Sequence, residues 1–198
     1  MIGNDYIHKF NRVLSYNSSL ESRFTMMLLR DPHLVDLREE FPRVKYWRPG
    51  SLTANEHLVD RLATYDDGYR IAYAVKPTIA LEESGIMEIR DLILEQNTGE
   101  HFDDFLVITD DQITEARSGN AERIMIACDN VNESHCAVVL DYMRTIHEPT
   151  TIMAVERALG PDFDVQNSLF CLIYRGFVEH LSPEETFDDA PFIQTVAS

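Results

Sequence analysis

The chain has 198 residues, of which 44% are hydrophobic, so it can bury one large core or two small ones. It contains no apolar run of eighteen residues and no apolar stretch near its start, which argues against membrane insertion and export and predicts a cytoplasmic location. Its three cysteines form no CxxC pair, which argues against a disulfide framework or a structural zinc site.

The formal net charge of −17 is unevenly distributed along the chain. Residues 1–80 hold 11 Lys/Arg and 10 Asp/Glu, whereas residues 81–198 hold 6 and 24. Because phosphate binding usually leaves a basic footprint, only the first part is suited to DNA and the second would repel it. The local basic density lies at Arg38, Arg43, Lys45 and Arg48. We interpret these four as candidate DNA contacts, with a solvated strand edge and loop as the competing interpretation.

The first predicted helix lies in YNSSLESRFTMMLLRD. Ser18 or Ser19 is the expected N-cap, because a hydroxyl oxygen there accepts a hydrogen bond from the first turn. Apolar residues then recur at helical spacing, at Leu20, Phe24, Met27 and Leu28. Downstream, LVDLREEFPRVKYW has the β-branched and aromatic content of extended chain, and Pro42 interrupts it as an edge or a bend would.

The segment EHLVDRLATYDDGYRIAYAVKP predicts a β-hairpin that turns at Asp66–Gly68. After it, ALEESGIMEIRDLILEQN predicts a helix, and DFLVIT and ERIMIACD predict two short strands. The resulting order, one helix, three strands, one helix and one or two strands, is typical of a mixed α/β domain. We place this domain at residues 1–130.

Residues 131–198 are predicted to be mainly helical, unlike the first domain. Three helices are predicted in ESHCAVVLDYMRTIH, TTIMAVERALG and VQNSLFCLIYRG, with Gly160 and Gly176 at C-terminal stops. A short FVEHL strand and an acidic tail follow. Three helices before a strand or hairpin indicate a winged-helix-like domain. The third helix offers Arg175 as its only cation, which favours packing or protein contact over base reading.

Three charged side chains are predicted to meet at one end of the hairpin. Alternation along the strand YRIAYAVKP puts Lys76 on the same face as Ala74, and the register across the turn brings Asp60 level with them. Glu21, in the first turn of the first helix, is a third group that such a helix can aim at this place. The sequence therefore predicts a cluster of two carboxylates and one ammonium group.

This cluster has two interpretations. Carboxylate oxygens hold Mg²⁺, which activates water and stabilises charge on a scissile phosphate, and a nearby lysine neutralises developing negative charge. The structural alternative is a surface ion pair between Asp60 and Lys76, with Glu21 placed favourably at a helix N-terminus. Spacing alone leaves both interpretations open.

The motifs carry a resemblance to a known family. The runs SSLESRFTMMLLRDPHLVDLREEFPRVKYW and HLVDRLATYDDGYRIAYAVKP resemble the N-terminal nuclease domain of TnsA-type transposon endonucleases, a branch of the PD-(D/E)XK restriction-endonuclease-like superfamily. The match covers residues 17–95. It aligns Glu21 with the catalytic acid, Asp60 with the metal-binding aspartate and Lys76 with the lysine of the pattern. His57 stands where related sequences often carry a histidine.

The resemblance implies a restriction-endonuclease-like mixed β-sheet core flanked by helices. It also implies a Mg²⁺ cofactor, with Mn²⁺ as a substitute, bound by Glu21 and Asp60. Members of the family cut one DNA strand at a transposon end beside a partner transposase, so DNA and a transposase-like or other DNA-processing protein are the expected partners. A C-terminal DNA-binding or partner-binding domain is implied as well. A homodimer remains open.

Two departures from the family pattern bear on activity. The acid or amide two residues before the lysine is Ala74 here, and Glu82 or Glu83 in the following helix is a candidate replacement. The glutamine-proline of the family segment is Phe41-Pro42. Three hypotheses therefore stand: a metal-dependent endonuclease, a catalytically weakened nuclease fold that acts as an interaction or regulatory subunit, and an acidic DNA mimic.

Overall fold

The computed structural model describes residues 3–97 and 100–196 and divides the chain into two compact units. The N-terminal unit comprises residues 1–28 and 33–113, and the C-terminal unit comprises residues 29–32 and 114–198. The division falls between Ile113 and Thr114, earlier than the boundary at residue 130 that we predicted. The predicted mixed α/β architecture is confirmed.

The N-terminal unit contains eight strands and three helices within its described residues. In chain order these are β1 (Gly3–Ile7), β2 (Arg12–Tyr16), α1 (Ser19–Leu29), β3 (Leu34–Glu39), β4 (Arg43–Tyr46), β5 (Asn55–Leu58), β6 (Arg61–Tyr65), β7 (Arg70–Val75), α2 (Leu81–Ser84), α3 (Ile86–Asn97) and β8 (Asp104–Ile108). Leu29, the last residue of α1, belongs to the C-terminal unit.

A four-stranded mixed sheet forms the centre of this unit, in the order β3-β6-β7-β8. The first three strands are antiparallel, and β8 runs parallel to β7 after the crossover through α3. On one face, Phe24 of α1 packs edge-on against Tyr73 of β7 at 5.0 Å between ring centroids. On the other face, Ala72 and Ala74 join an apolar cluster that includes Ile93 of α3. Two small hairpins, β1-β2 and β4-β5, complete the unit.

The hairpin between β6 and β7 forms where the sequence predicts it. Gly68 has a φ of +84°, a left-handed conformation that glycine adopts without steric cost, and its N–H donates to the carbonyl of Tyr65. The side chain of Asp67 accepts a hydrogen bond from the Tyr69 N–H and closes the turn. The turn fixes the register of the two strands, which pairs Arg61 with Tyr73. Asp60 directly precedes Arg61 in the chain and therefore lies just beyond the last paired position.

The C-terminal unit is built mainly from helices. Its described elements are α4 (Glu115–Asp129), α5 (Glu133–Met143), β9 (Thr150–Thr151), α6 (Ile152–Leu159), α7 (Val165–Tyr174), β10 (Val178–His180) and β11 (Phe192–Thr195). Its core is one apolar cluster to which the four helices and the strands β10 and β11 contribute. Cys136 and Cys171 are buried free thiols in this core, and Cys128 is a partly buried one.

One prediction for this part of the chain was wrong. The segment ERIMIACD, predicted as a strand, lies within helix α4, which Thr114 caps by accepting a hydrogen bond from the Arg117 N–H. A short apolar run does not distinguish a strand from a buried helix, and here the cap and the length of the element decide for helix. The predicted acidic tail contains a 3-10 turn at Phe187–Asp189 and strand β11.

Strands β10 and β11 form a hairpin, and β9 pairs with the other side of β11, giving the antiparallel order β10-β11-β9. The order of elements from α5 onward is helix, strand, two helices and a hairpin, which agrees with the predicted helical module with a C-terminal hairpin. Among the described residues, no helix is both long enough and apolar enough to cross a membrane.

Candidate active site

Asp60 and Lys76 meet at the end of the central hairpin. Asp60 lies in the break between β5 and β6, and Lys76 directly follows β7. Oδ2 of Asp60 accepts a hydrogen bond of 2.7 Å from the Val75 N–H and lies 3.3 Å from Nζ of Lys76. Both side chains are partly exposed, at 22% for Asp60 and 30% for Lys76. The predicted pairing of this acid with this lysine is therefore present in the structure.

Glu21 is held in the first turn of α1 by its neighbours in sequence. Oγ of Ser18 accepts a hydrogen bond from the Glu21 N–H, which confirms Ser18 as the cap of this helix. In return, the Glu21 carboxylate accepts hydrogen bonds from the Ser18 hydroxyl at 3.1 Å and from the Asn17 N–H at 3.2 Å. The arrangement resembles a capping box, in which a glutamate near the helix start folds back onto the cap. The carboxylate is thereby fixed in position.

The side chain of Arg61 connects Glu21 to the backbone of Asp60. Its side chain is 1% exposed, and one guanidinium nitrogen, Nη1, lies 3.6 Å from Oε2 of Glu21 while it donates to the backbone carbonyl of Asp60 at 2.7 Å. The other two nitrogens donate to Oγ1 of Thr25 and to the carbonyl of Ser15, each at 2.9 Å. The guanidinium therefore connects α1, β2 and the start of β6 at one point.

The electrostatics of this end of the sheet are dominated by carboxylates around one buried cation. Burial lowers the pKa of Arg61, and four carboxylates oppose that effect by favouring its charged form. In order of their influence these are Glu21, Glu39, Asp60 and Glu40. Because a buried guanidinium needs a compensating negative charge, these carboxylates stabilise the charged form of Arg61.

Ala74, the position at which the family pattern has an acid or amide, is closed to solvent. Its exposure is 0%, and it belongs to the apolar cluster that contains Phe102 and Phe105. In the ladder between β7 and β8 it stands beside Val107. An acid at position 74 would therefore have to enter a packed apolar environment.

His57 lies close enough to Asp60 and Lys76 to feel both charges. It sits on β5, and its ring is 5.6 Å from that of Phe105. Burial lowers the pKa of His57, while Asp60 raises it and Lys76 lowers it further. Its Nε2 is buried and has no hydrogen-bond partner among the residues the structure describes. His57 is thus a largely buried ring at the edge of the site, where burial disfavours its charged form.

The remaining candidates stand in other surroundings. Glu82 and Glu83 lie on the exposed first turn of the short helix α2, and the structure gives neither a hydrogen bond to Asp60 or Lys76. Of the candidate DNA contacts, each arginine forms an ion pair: Arg38 with Asp36, Arg43 with Glu56 and Arg48 with Glu88. Lys45 faces Glu56 across the β4-β5 ladder. Their role in DNA binding stays a prediction.

No family model matches the chain, and no curated protein sequence matches it significantly. The resemblance of residues 17–95 to TnsA-type endonucleases therefore remains a prediction that depends on the motifs.

Two donors of the site suit a divalent cation. The described residues contain no group of three or more His, Cys, Asp or Glu side chains arranged to hold a metal. Mg²⁺, however, commonly takes only one or two protein carboxylates and completes its shell with water and substrate phosphate. Oδ1 of Asp60 makes no hydrogen bond within the described part of the chain, so Asp60 retains a free hard donor oxygen. Asp60 thus fits the chemistry of a Mg²⁺ ligand, and Glu21 offers a second carboxylate, whose two oxygens already accept hydrogen bonds from Asn17 and Ser18.

Sequence reasoning missed Arg61 and Thr25. A charged residue that opens a strand is normally exposed, so the order of residues gave no reason to place Arg61 in the interior. One signal was available. Thr25 lies one helical turn after Glu21, so its hydroxyl is expected on the same side of α1 as the carboxylate.

Proposed function

We propose that the N-terminal unit is a Mg²⁺-dependent DNA endonuclease that resembles TnsA-type transposon endonucleases and hydrolyses phosphodiester bonds. The observation that carries the proposal is the contact between Asp60 and Lys76 at the end of β7. The central sheet and its two longer helices follow the chain order α1, β3, β6, β7, α3 and β8, with β4, β5 and α2 inserted, and this order supports it further together with Asp60 and Lys76 on adjoining strand ends.

Each residue has a part that follows from its chemistry. Asp60 and Glu21 would hold the metal ion, which when bound supplies a Lewis acid for the phosphate and lowers the pKa of a coordinated water. Lys76 donates to the phosphate or to the attacking water, because its ammonium group is a mobile cation with three donors. Arg61 holds Glu21 and the Asp60 backbone in place from within the protein and acts as a positioning residue.

A second candidate function is favoured by Ala74 and by the Arg61 contact. The missing acid removes one donor, and the Glu21 carboxylate already faces a cation within the protein. Under this alternative the nuclease fold is retained without cutting DNA, and the protein acts as an interaction or regulatory subunit of a DNA-processing or transposition complex.

Conversion of supercoiled plasmid to nicked circles in Mg²⁺ or Mn²⁺ distinguishes the two. We expect the full chain to nick DNA, and Asp60→Asn and Lys76→Ala, purified identically, to lose the activity by at least a hundredfold. Asp162→Asn serves as a matched control, since Asp162 is an exposed aspartate of the other unit without an ion pair among the described residues.

Each outcome assigns one function. Nicking that survives both substitutions would identify a contaminating nuclease and overturn the assignment of the site. A folded protein that neither nicks DNA nor shows enhanced thermal stability in millimolar Mg²⁺ or Mn²⁺ would leave the interaction subunit as the function.

A further inference from the structure

The outer face of the β10-β11 hairpin carries four exposed apolar side chains. Phe177 lies opposite Val196, and Leu181 lies opposite Phe192, as shown by the hydrogen bonds from the Val196 N–H to the Phe177 carbonyl and from the Leu181 N–H to the Phe192 carbonyl. Their exposures range from 38% to 55%. We call these four residues together with Glu179 the hairpin face.

Alternation along the two strands separates this face from the core. Val178, His180 and Ile193 point inward and are at most 9% exposed. Between them, Glu179 lies opposite Gln194 and points to the same side as the four apolar residues. This side of the hairpin therefore consists of two apolar cross-strand pairs with the pair of Glu179 and Gln194 between them.

We propose that the hairpin face is a docking site for a basic segment of another protein, in which apolar side chains flank a lysine or arginine. Glu179 forms no ion pair with any described residue, so the face offers an uncompensated carboxylate between its two apolar pairs. Burial of that carboxylate is favourable only against a cation that can also donate hydrogen bonds to it.

The charge of the surroundings selects this occupant over two others. Residues 114–198 hold 14 Asp/Glu and 5 Lys/Arg, and residues 181–191 hold four acids and no base. DNA would be repelled by this field. A second copy of the chain, docked symmetrically, would place Glu179 against its own counterpart in an apolar contact, which is costly. A basic protein segment meets both the apolar and the acidic character of the face.

The hairpin face is held rigid by contacts between the β10-β11 connection and the helices of the unit, which lowers the entropic cost of binding. Asn120, a 2% exposed residue of α4, donates from its amide to the Glu185 carbonyl and accepts from the Phe187 N–H. The ring of Phe187 in turn stacks against Phe170 of α7 at 4.4 Å between centroids. The connection between β10 and β11 is thereby fixed to two helices of the same unit. The proposal does not depend on nuclease activity.

Selection from a displayed library of random ten-residue peptides on the full chain tests the proposal. We expect enriched peptides to combine apolar residues with Lys or Arg, and their affinity, measured by fluorescence anisotropy, to fall at least tenfold for Phe192→Ser. Ile126→Ser is the matched control, because Ile126 is an exposed apolar residue of α4 outside the hairpin face. The affinity of the peptides for Ile126→Ser should stay within twofold of their affinity for the original chain.

Charge reversal at Glu179 gives an independent arm. Selection on Glu179→Lys should enrich peptides with Asp or Glu, because the central charge of the face is inverted. Unchanged thermal midpoints of Phe192→Ser and Glu179→Lys would show that both variants are folded. Enrichment of acidic peptides on the original chain, equal binding to Phe192→Ser, or no enrichment would overturn the proposal. A dimer or a DNA complex that Phe192→Ser dissolves would overturn it in favour of self-association or DNA binding.

Discussion

The guanidinium of Arg61 lies 3.6 Å from the carboxylate of Glu21 at a place where the arginine side chain is 1% exposed and that of the glutamate 12% exposed. Because a buried charge without its partner is costly, this pair differs from the other ion pairs of the chain, most of which lie at the surface. We expect Arg61→Met to lower the free energy of unfolding by about 3–5 kcal/mol.

A double-mutant cycle isolates the interaction between these two residues. Glu21→Gln keeps the size of the side chain, so the cycle of Glu21→Gln with Arg61→Met should give a coupling of about 1–3 kcal/mol in urea unfolding. The exposed pair of Arg144 and Asp141 provides the control, with an expected coupling below about 1 kcal/mol. Equal couplings in the two cycles would show that Arg61 is held mainly by its three hydrogen bonds to neutral oxygens.

Lys76 should separate activity from stability. Its ion pair with Asp60 is partly exposed, and such pairs contribute about 0–1 kcal/mol. Lys76→Ala is therefore expected to change the free energy of unfolding by less than about 1 kcal/mol while it removes nicking. Urea unfolding and the plasmid assay on the same preparation check both parts. A loss of stability large enough to unfold the variant would remove its value as evidence for a role in chemistry and contradict this prediction.

Replacing Ala74 with the acid of the family pattern should destabilise the protein without raising its nicking activity. Ala74 is fully buried among apolar residues, so Ala74→Glu adds both excess volume and a buried carboxylate, at a cost of about 3 kcal/mol or more. Ala74→Gln is the matched control because it adds similar volume without charge. We expect both to lower the thermal midpoint, Glu more than Gln, and neither to raise nicking. A Glu variant that is as stable as the original chain and cuts faster would show that position 74 opens to the site.

The central hairpin and its ionic pair were predictable because both depend on local order. The Asp-Gly turn sets the register, and counting back from it along both strands brings Asp60 to Lys76. Arg61 was not predictable, since its burial depends on Thr25 and Ser15, whose oxygens reach it only after α1 and β2 have packed. The strand predicted at ERIMIACD failed for a related reason: the periodicity of a short apolar run fits both a strand and a helix that is buried on one side.

His180 makes the C-terminal unit sensitive to acid. The ring is buried beside Phe187, and neither nitrogen has a hydrogen-bond partner among the described residues. Burial lowers the pKa of His180, Arg30 lowers it further and Glu185 opposes them. The unfolded chain therefore takes up a proton near pH 6.5 before the folded unit does, so stability falls as the pH drops below about 6.5.

Replacement of this histidine by phenylalanine tests the effect. His180→Phe removes two unsatisfied nitrogens and should stabilise the unit by about 1–3 kcal/mol, with a larger gain at pH 5.5 than at pH 7.5. Urea unfolding at the two pH values gives the comparison. A gain that does not depend on pH would show that His180 is not the group that takes up the proton. Any pH dependence of the free energy of unfolding that remains in the variant includes a contribution from His57, because burial lowers the pKa of that residue as well.

The first turn of α1 offers a way to observe the site through a single hydrogen atom. The Asn17 N–H donates to the same Glu21 oxygen that faces Arg61, so its exchange with solvent hydrogen is slowed only while that carboxylate stays in place. If a cation or a phosphate drew Glu21 away, this amide would exchange faster although the helix around it remained folded. Exchange at Asn17 therefore reports directly whether Glu21 is committed to the interior of the protein or available to a ligand.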